Sequence, residues 1–198
     1  MAHRVEARIL GPLENSGEGE RVEVRGGKQR ELLAILLVHA NEVVSSDRLI
    51  EGLWLDNPPP SALKTLQALL SRLRSDLGTA SGALETHAYG YRLVVEPERL
   101  DAEVFRAGVE EGRRALARGE AEEAAEKLRA ALALWRGAAL AEFRYDFAQA
   151  EIARLEELRL AAQEERIAAD LELGRHPELV GELEELVAEH PLRERPRG

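Results

Sequence analysis

Residues 61–78, "SALKTLQALLSRLRSDLG", hold the side chains in this sequence best suited to recognition chemistry. Lys64, Thr65, Ser71, Arg72 and Arg74 put three cations and two hydroxyls within eleven positions. A guanidinium can grip a guanine edge or a phosphate in two-pronged geometry, and hydroxyls bond phosphate oxygens. Leu63, Leu66, Leu70, Leu73 and Leu77 recur at steps of three and four, which lays one apolar stripe along a helix. The opposite side is centred on Lys64, Ala68, Ser71 and Ser75, with Thr65 and Arg72 at its margin. That side is the predicted DNA-facing surface. Arg74 lies nearer the stripe and is expected to reach a phosphate by snorkelling. Tyr91 and Arg92, thirteen or more residues on, offer a hydroxyl and a guanidinium for backbone contact. An arginine-bearing amphipathic helix is also an ordinary solvated face. Its neighbours therefore decide its meaning.

Other chemistries find little support. The five histidines show no His-x-x-His or His-Glu-x-x-His spacing, so no metal site is expected. "GGK" at 26–28 lacks the rest of a phosphate-binding loop. No nucleophile–base–acid set stands out, and an enzyme is the least favoured class. Trp54 and Trp135 sit among apolar neighbours and read as core. No cofactor is indicated.

Stepping outward, the elements around the helix give it context. "VEARIL" (5–10) and "RVEVR" (21–25) read as strands, with "NSGEGE" (15–20) as a turn. "GGKQRELLAILLVHAN" (26–41) and "SDRLIEGLW" (46–54) read as helices, the second capped by Ser45. "DNPPP" (56–60) stops that helix, and Ser61 is the expected cap of the next. "ALETHAYGYRLVVE" (83–96) reads as two short strands around a turn near Tyr89 and Gly90. Strand, strand, three helices and a hairpin is the order of a winged helix-turn-helix, whose last helix enters the major groove.

After Pro97 the sequence turns helical: 101–119 ending on Gly119, 120–137, a long helix or tight helix pair over 146–174, and 176–191. "LARGEAEEAAEKL" (116–128) and "LELGRHPELVGEL" (171–183) share a weak pattern suited to a helical array. The expected division is 1–97 and 98–198, with the second part truncated after "HPLRERPRG".

Composition fits this organisation. The chain has 198 residues, 44% hydrophobic and 4% aromatic, and no cysteine, so a disulfide framework is excluded. With no signal peptide in view, a cytoplasmic, nucleoid-associated location is expected, and the longest apolar run is too short to span a membrane. The net charge of −10 is uneven: residues 98–198 carry −8, whereas 61–95 carry +2. A local basic patch can act beside an acidic neighbour because screening limits reach to about 10 Å at 0.1 M salt.

"GGKQRELLAILLVHANEVVSSDRLIEGLW…PPPSALKTLQALLSRLRSDLG…GYRL" resembles the OmpR-like winged-helix domain of the Streptomyces antibiotic regulatory protein family. "FAQAEIARLEELRLAAQEERIAADLELGRHPELVGELEELVAEHPLRER" resembles the bacterial transcriptional activation domain that follows it, a tetratricopeptide-like array. The resemblance implies an α+β winged helix-turn-helix domain followed by an all-α domain, with an N-terminal sheet packed on the three helices. It implies an activator of secondary-metabolite (antibiotic) gene clusters that binds direct repeats of double-stranded DNA. Two protomers would lie side by side and recruit RNA polymerase. The recognition helix maps to Pro60–Leu77, its "TLQ…SRLR" core to Thr65, Leu66, Gln67, Ser71, Arg72, Leu73 and Arg74, and the wing to Gly90 and Tyr91. The family often carries larger side chains where this chain has Ala68, Leu69 and Leu70. Its helical domain usually runs further, and larger members add an ATPase or a phosphothreonine-reading module that is not visible here. Two other readings compete: a protein–protein adaptor, and a ligand sensor with the helical array as its pocket.

Overall fold

A computed structural model describes residues 5–17, 20–21, 24, 26–143, 146–175 and 179. Strand β1 (Val5–Arg8) pairs antiparallel with β2 (Glu14–Gly17), which pairs with β3 (Glu20–Arg21). The segment expected to be a polar turn is therefore mostly strand. Its register with β1 puts Asn15 opposite Ala7 and buries it, and the backbone ladder overrides the polar side chains.

Three helices follow: α1 (Gly27–Val38), α2 (Ser46–Trp54) and α3 (Ala62–Leu77). The two-residue strand β4 (Val44–Ser45) joins the first two, and the hairpin β5 (Leu84–His87) and β6 (Gly90–Leu93) closes a second sheet in the order β4-β6-β5. Ser45 caps α2 as expected, its Oγ accepting from the Arg48 N–H at 3.2 Å. Ser61 stands at the start of α3 but makes no side-chain cap, and its carbonyl instead accepts from Thr65. Helix α1 is buried on every side from Glu31 to Leu37, because α2, α3, β6 and a helix of the second half all pack on it.

The second half holds α4 (Asp101–Ala117), α5 (Ala121–Leu132) and α6 (Asp146–Glu172). Gly119 adopts φ 75° just past α4, the left-handed turn its position predicted. α5 stops at Leu132, short of the expected 137, and α6 is one continuous helix rather than a pair. The expected helix at 176–191 lies outside the described residues apart from Leu179. Lys127–Glu111 links α5 to α4, and Arg129–Asp170 links α5 to α6, so successive helices run antiparallel. Gly112 permits the close approach of α4 and α5: a Cβ there would lie 2.6 Å from Leu128 Cγ.

One apolar core runs without a break from β1 through α1–α3 into α4, α5 and α6. The seam is also hydrogen-bonded. Asp101, at the start of α4, accepts the backbone N–H of Ile9 at 2.7 Å and of Leu10 at 3.1 Å. The Arg136 and Leu140 N–H groups donate to Leu10 and Ile9 carbonyls. Burial pushes the Asp101 carboxyl above the usual aspartate range, against the pull of those N–H donors and of Arg136. Further along, Asp170 is buried beside Arg129, Arg166 and Arg175. Burial alone would raise its carboxyl, but the three guanidinium groups outweigh it and hold the group below the ordinary value.

Replacing Asp101 by Ala leaves two buried N–H donors unmatched, each worth about 1–3 kcal/mol. Urea unfolding of Asp101→Ala should show at least that loss, and an unchanged midpoint would deny the joint its role. Asp170→Asn should cost on the order of 3 kcal/mol at neutral pH, because three guanidinium groups lose the buried carboxylate they share. A depressed carboxylate contributes stability above its unfolded value of about 3.9, lost as pH falls through the folded value. The gap in Tm between wild type and Asp170→Asn should therefore narrow below about pH 4, and a gap independent of pH would contradict this linkage.

Candidate nucleic-acid interface

Helix α3 buries Leu66, Leu69, Leu70, Leu73 and Leu77 against the core. The stripe is thus rotated slightly from the sequence expectation: Leu63 is 50% exposed, and Leu69 is buried in its place. Leu63 sits in the first turn of α3. Lys64, Gln67, Ala68, Ser71, Arg72 and Ser75 are all exposed. Lys64, Ala68, Ser71, Arg72 and Ser75 share one face at helical spacing. Among the described residues, neither Lys64 nor Arg72 is tied into an ion pair. Thr65 is half-buried and its hydroxyl donates to the Ser61 carbonyl at 3.1 Å, which steadies the first turn.

Arg74 is placed differently. Its Nε and Nη2 donate to the Leu84 carbonyl at 3.2 and 3.0 Å, and Nη2 also donates to Thr86 Oγ1 at 2.8 Å. Its guanidinium carbon lies 6.0 Å from the centre of the Tyr91 ring. The side chain therefore bridges α3 to the hairpin and fixes the angle between them. Arg92 Nε and Nη2 donate to Glu85 Oε2 at 2.9 and 2.7 Å, directly across the β5–β6 ladder. The Arg92 guanidinium, then the His87 ring, hold the Glu85 carboxyl below its usual range. Tyr91 is half-buried between Val44 and Thr86, its register partners.

The hairpin presents a residue that the sequence reading passed over. Tyr89, at the two-residue turn, is 86% exposed. Its carbonyl accepts from the Ser46 N–H at 3.1 Å, so the tip is pinned to the start of α2. The signal was the turn position itself, where a tyrosine has nothing to pack on. Lys28 of "GGK" is also accounted for: its Nζ donates to the Leu53 carbonyl at 2.5 Å, linking α1 to α2. Gln29 Nε2 donates to Asp76 at 2.7 Å and holds the far end of α3. No group of acidic or histidine side chains able to hold a metal ion occurs among the described residues, and no described helix is long and apolar enough to cross a membrane.

A helix with an exposed cationic, hydroxyl-bearing face, flanked by a hairpin bonded to it, is the arrangement of a winged helix. Two family models match in the same order: "Transcriptional regulatory protein, C terminal" over residues 19–93 and "Bacterial transcriptional activator domain" over residues 100–198. The chain belongs to the Streptomyces antibiotic regulatory protein family of transcriptional regulators. It is similar to the regulatory protein DnrI of Streptomyces peucetius, 40% identical over 94% of this chain and 72% of that protein. It is also similar to AfsR of Streptomyces griseus, 36% identical over 96% of this chain but 19% of that protein. A solved structure of Mycobacterium tuberculosis EmbR in complex with a low-affinity phosphopeptide superposes with a TM-score of 0.91 at 34% identity. That match covers 96% of this chain and 52% of EmbR.

Gly90 makes the wing possible. A Cβ there would lie 2.0 Å from the Val44 carbonyl oxygen, inside the β4–β6 pairing. Gly90→Ala should separate β4 from the hairpin and cost roughly 1–3 kcal/mol, as an overpacked interior does. Hydrogen exchange at the Tyr91 amide should accelerate with it; native protection there would show that the close approach is relieved elsewhere.

Proposed function

We propose that this protein reads double-stranded DNA with α3 in the major groove and with the β5–β6 hairpin on the adjoining backbone. The observation that carries this reading is the exposed face of α3, with Lys64 and Arg72 outside any described ion pair. A face of this kind serves phosphate and base contact directly, because no internal bond must break first. Lys64 and Ser71 take phosphate oxygens, Thr65 does so by giving up its bond to the Ser61 carbonyl, Arg72 takes a base edge, and Ala68 adds apolar contact only. Arg74 acts by holding the wing at its angle while keeping part of its fork for a phosphate. Tyr91 and Arg92 meet the backbone, the latter by exchanging Glu85 for a phosphate, and Tyr89 extends the same surface.

The matched bacterial transcriptional activator domain supports an activating role, and membership of the Streptomyces antibiotic regulatory protein family favours an antibiotic or other secondary-metabolite gene cluster. In this reading the protein binds direct repeats near a promoter as two protomers and engages RNA polymerase through its helical half, residues 98–198, a tetratricopeptide-like array. It works in the cytoplasm, on the nucleoid. The antiparallel α4–α5–α6 succession supports the array, and the −8 charge of that half keeps it off DNA and available to protein partners.

A gel-shift titration against promoter fragments at two salt concentrations tests the reading. Selective binding that weakens with salt, at about 0.9 logarithmic units per phosphate contact, is the expected result. Arg72→Ala should weaken the selective complex by about 1–3 kcal/mol while nonspecific binding changes little. An unchanged selective complex removes Arg72 from the base contacts, and no complex at low salt removes DNA reading altogether.

A further inference from the structure

The two halves enclose a cleft of about 540 Å³ where the end of α1 faces α4 and α6. A second, of about 490 Å³, opens beside it between α2 and Ala150 of α6. His39 and Arg48 line both, so the two form one trough along the seam. Such volumes suit a small molecule, and junctions between domains are favoured places for one.

The charges in the trough divide into those already engaged and those left over. Arg106 is bound by Glu103 and Glu151, and Arg154 lies 3.6 Å from Glu151. Arg48 is exposed and has no ion-pair partner among the described residues. Glu51 and Asp56, at the far end, are exposed and likewise unpaired among them. His39 is half-buried between the two clefts, 3.7 Å from Glu42. Burial, then the neighbouring Arg48, lowers its pKa against the pull of Glu42, which keeps the ring neutral and able to donate or accept.

Two positive-φ residues, Asn41 and Leu55, line the trough. Among the described residues only Asn41, Leu55 and Leu140 are non-glycine residues with positive φ. Leu140 is held by the Ile9 and Gly11 carbonyls, and Asn41 by its two bonds to Val95. Leu55, at φ 50°, ends α2 where glycine is the usual choice, yet 42% of it is exposed. Strain that no burial repays marks a position shaped for contact with something else.

We infer that this trough is a binding site for a small amphoteric molecule: a carboxylate held by Arg48, an amine or hydroxyl facing Glu51 and Asp56, and a short apolar body over Leu55 and Ala150. The guanidinium fork matches a carboxylate in two-pronged geometry. The nearby Glu42, Glu51 and Asp56 disfavour a dianion, which excludes phosphate as the acid group. The His39 ring lies at the acid end and serves as a hydrogen-bond partner. A molecule there touches α1, α2 and α6 at once, so it bears on how the reading half sits against the helical half. This inference stands apart from DNA reading and survives or fails by its own test.

The test is a titration of the whole protein with 4-(aminomethyl)benzoate, benzoate, benzylamine and inorganic phosphate. It is followed by thermal shift and by NMR of the His39 ring. The two-ended probe should bind at least tenfold more tightly than either half-probe and should move the His39 resonances, while phosphate moves neither. Arg48→Gln should erase the advantage over benzylamine, and Glu51→Gln the advantage over benzoate. Arg114→Gln, on the open face of α4, should leave binding unchanged. Both tested side chains are exposed, so the variants should keep the native circular dichroism. Silence of all four probes at about 10 mM, ten times the Kd of a weak fragment, would overturn the site. So would binding indifferent to Arg48→Gln, or phosphate binding as tightly as the carboxylate.

Discussion

The arrangement of this protein depends on a buried carboxylate at a seam. Asp101 begins the helical half, yet its oxygens are occupied by backbone N–H groups of the first strand's continuation, ninety residues earlier. Two amides that leave a strand edge need acceptors, and a helix start supplies one side chain for both. Arg136 returns the charge, 3.6 Å from the same carboxylate and 2.9 Å from Glu14. Around this knot the N-terminal sheet, α4 and the segment after α5 behave as one piece. The consequence reaches the reading surface. α1 lies in the common core, α3 packs on α1, and the wing is bonded to α3, so packed elements join the helical half to the exposed face of α3.

That line ends in a lock rather than a hinge. Arg74 gives three hydrogen bonds to β5, the Tyr89 carbonyl takes the first N–H of α2, and Gly90 lets β4 press against β6. Each removes one freedom of the hairpin. In the proposed DNA reading, a helix and wing set before DNA arrives lose less conformational entropy on binding.

The core was legible in the sequence because leucine at steps of three and four has one meaning in a helix, and the order of elements carried the winged helix with it. Ser45 and Gly119 announced their caps because local backbone needs decide both. What stayed hidden was long-range. "NSGEGE" has turn composition, and only pairing with β1 makes part of it a strand. Leu63 obeys the stripe yet is exposed, while Leu69 takes its place in the core. Arg74 read as a free cation, since nothing in its own helix shows that Leu84 and Thr86 fold back over it. Asp101 stands in the first turn of α4, where an acid suits the helix dipole, but its hydrogen-bond partners lie ninety residues away.

The same contrast separates the side chains of the interface by kind. Arg72 and Lys64 are governed by periodicity, and the sequence alone places them on the open face. Arg74 and Arg92 are governed by cross-element bonds to Leu84, Thr86 and Glu85, which no local pattern encodes. Glu85 is the informative partner. If the hairpin meets DNA as proposed, an acid there repels phosphate unless a cation neutralises it, and Arg92 pairs with Glu85 across the ladder. The pair keeps the guanidinium extended and aligned in the absence of DNA. In the proposed reading a phosphate meets a preset fork and displaces the carboxylate, exchanging one anion for another. Arginine on this wing therefore serves geometry first and attraction second, in keeping with a protein whose overall charge is negative and whose basic face is narrow.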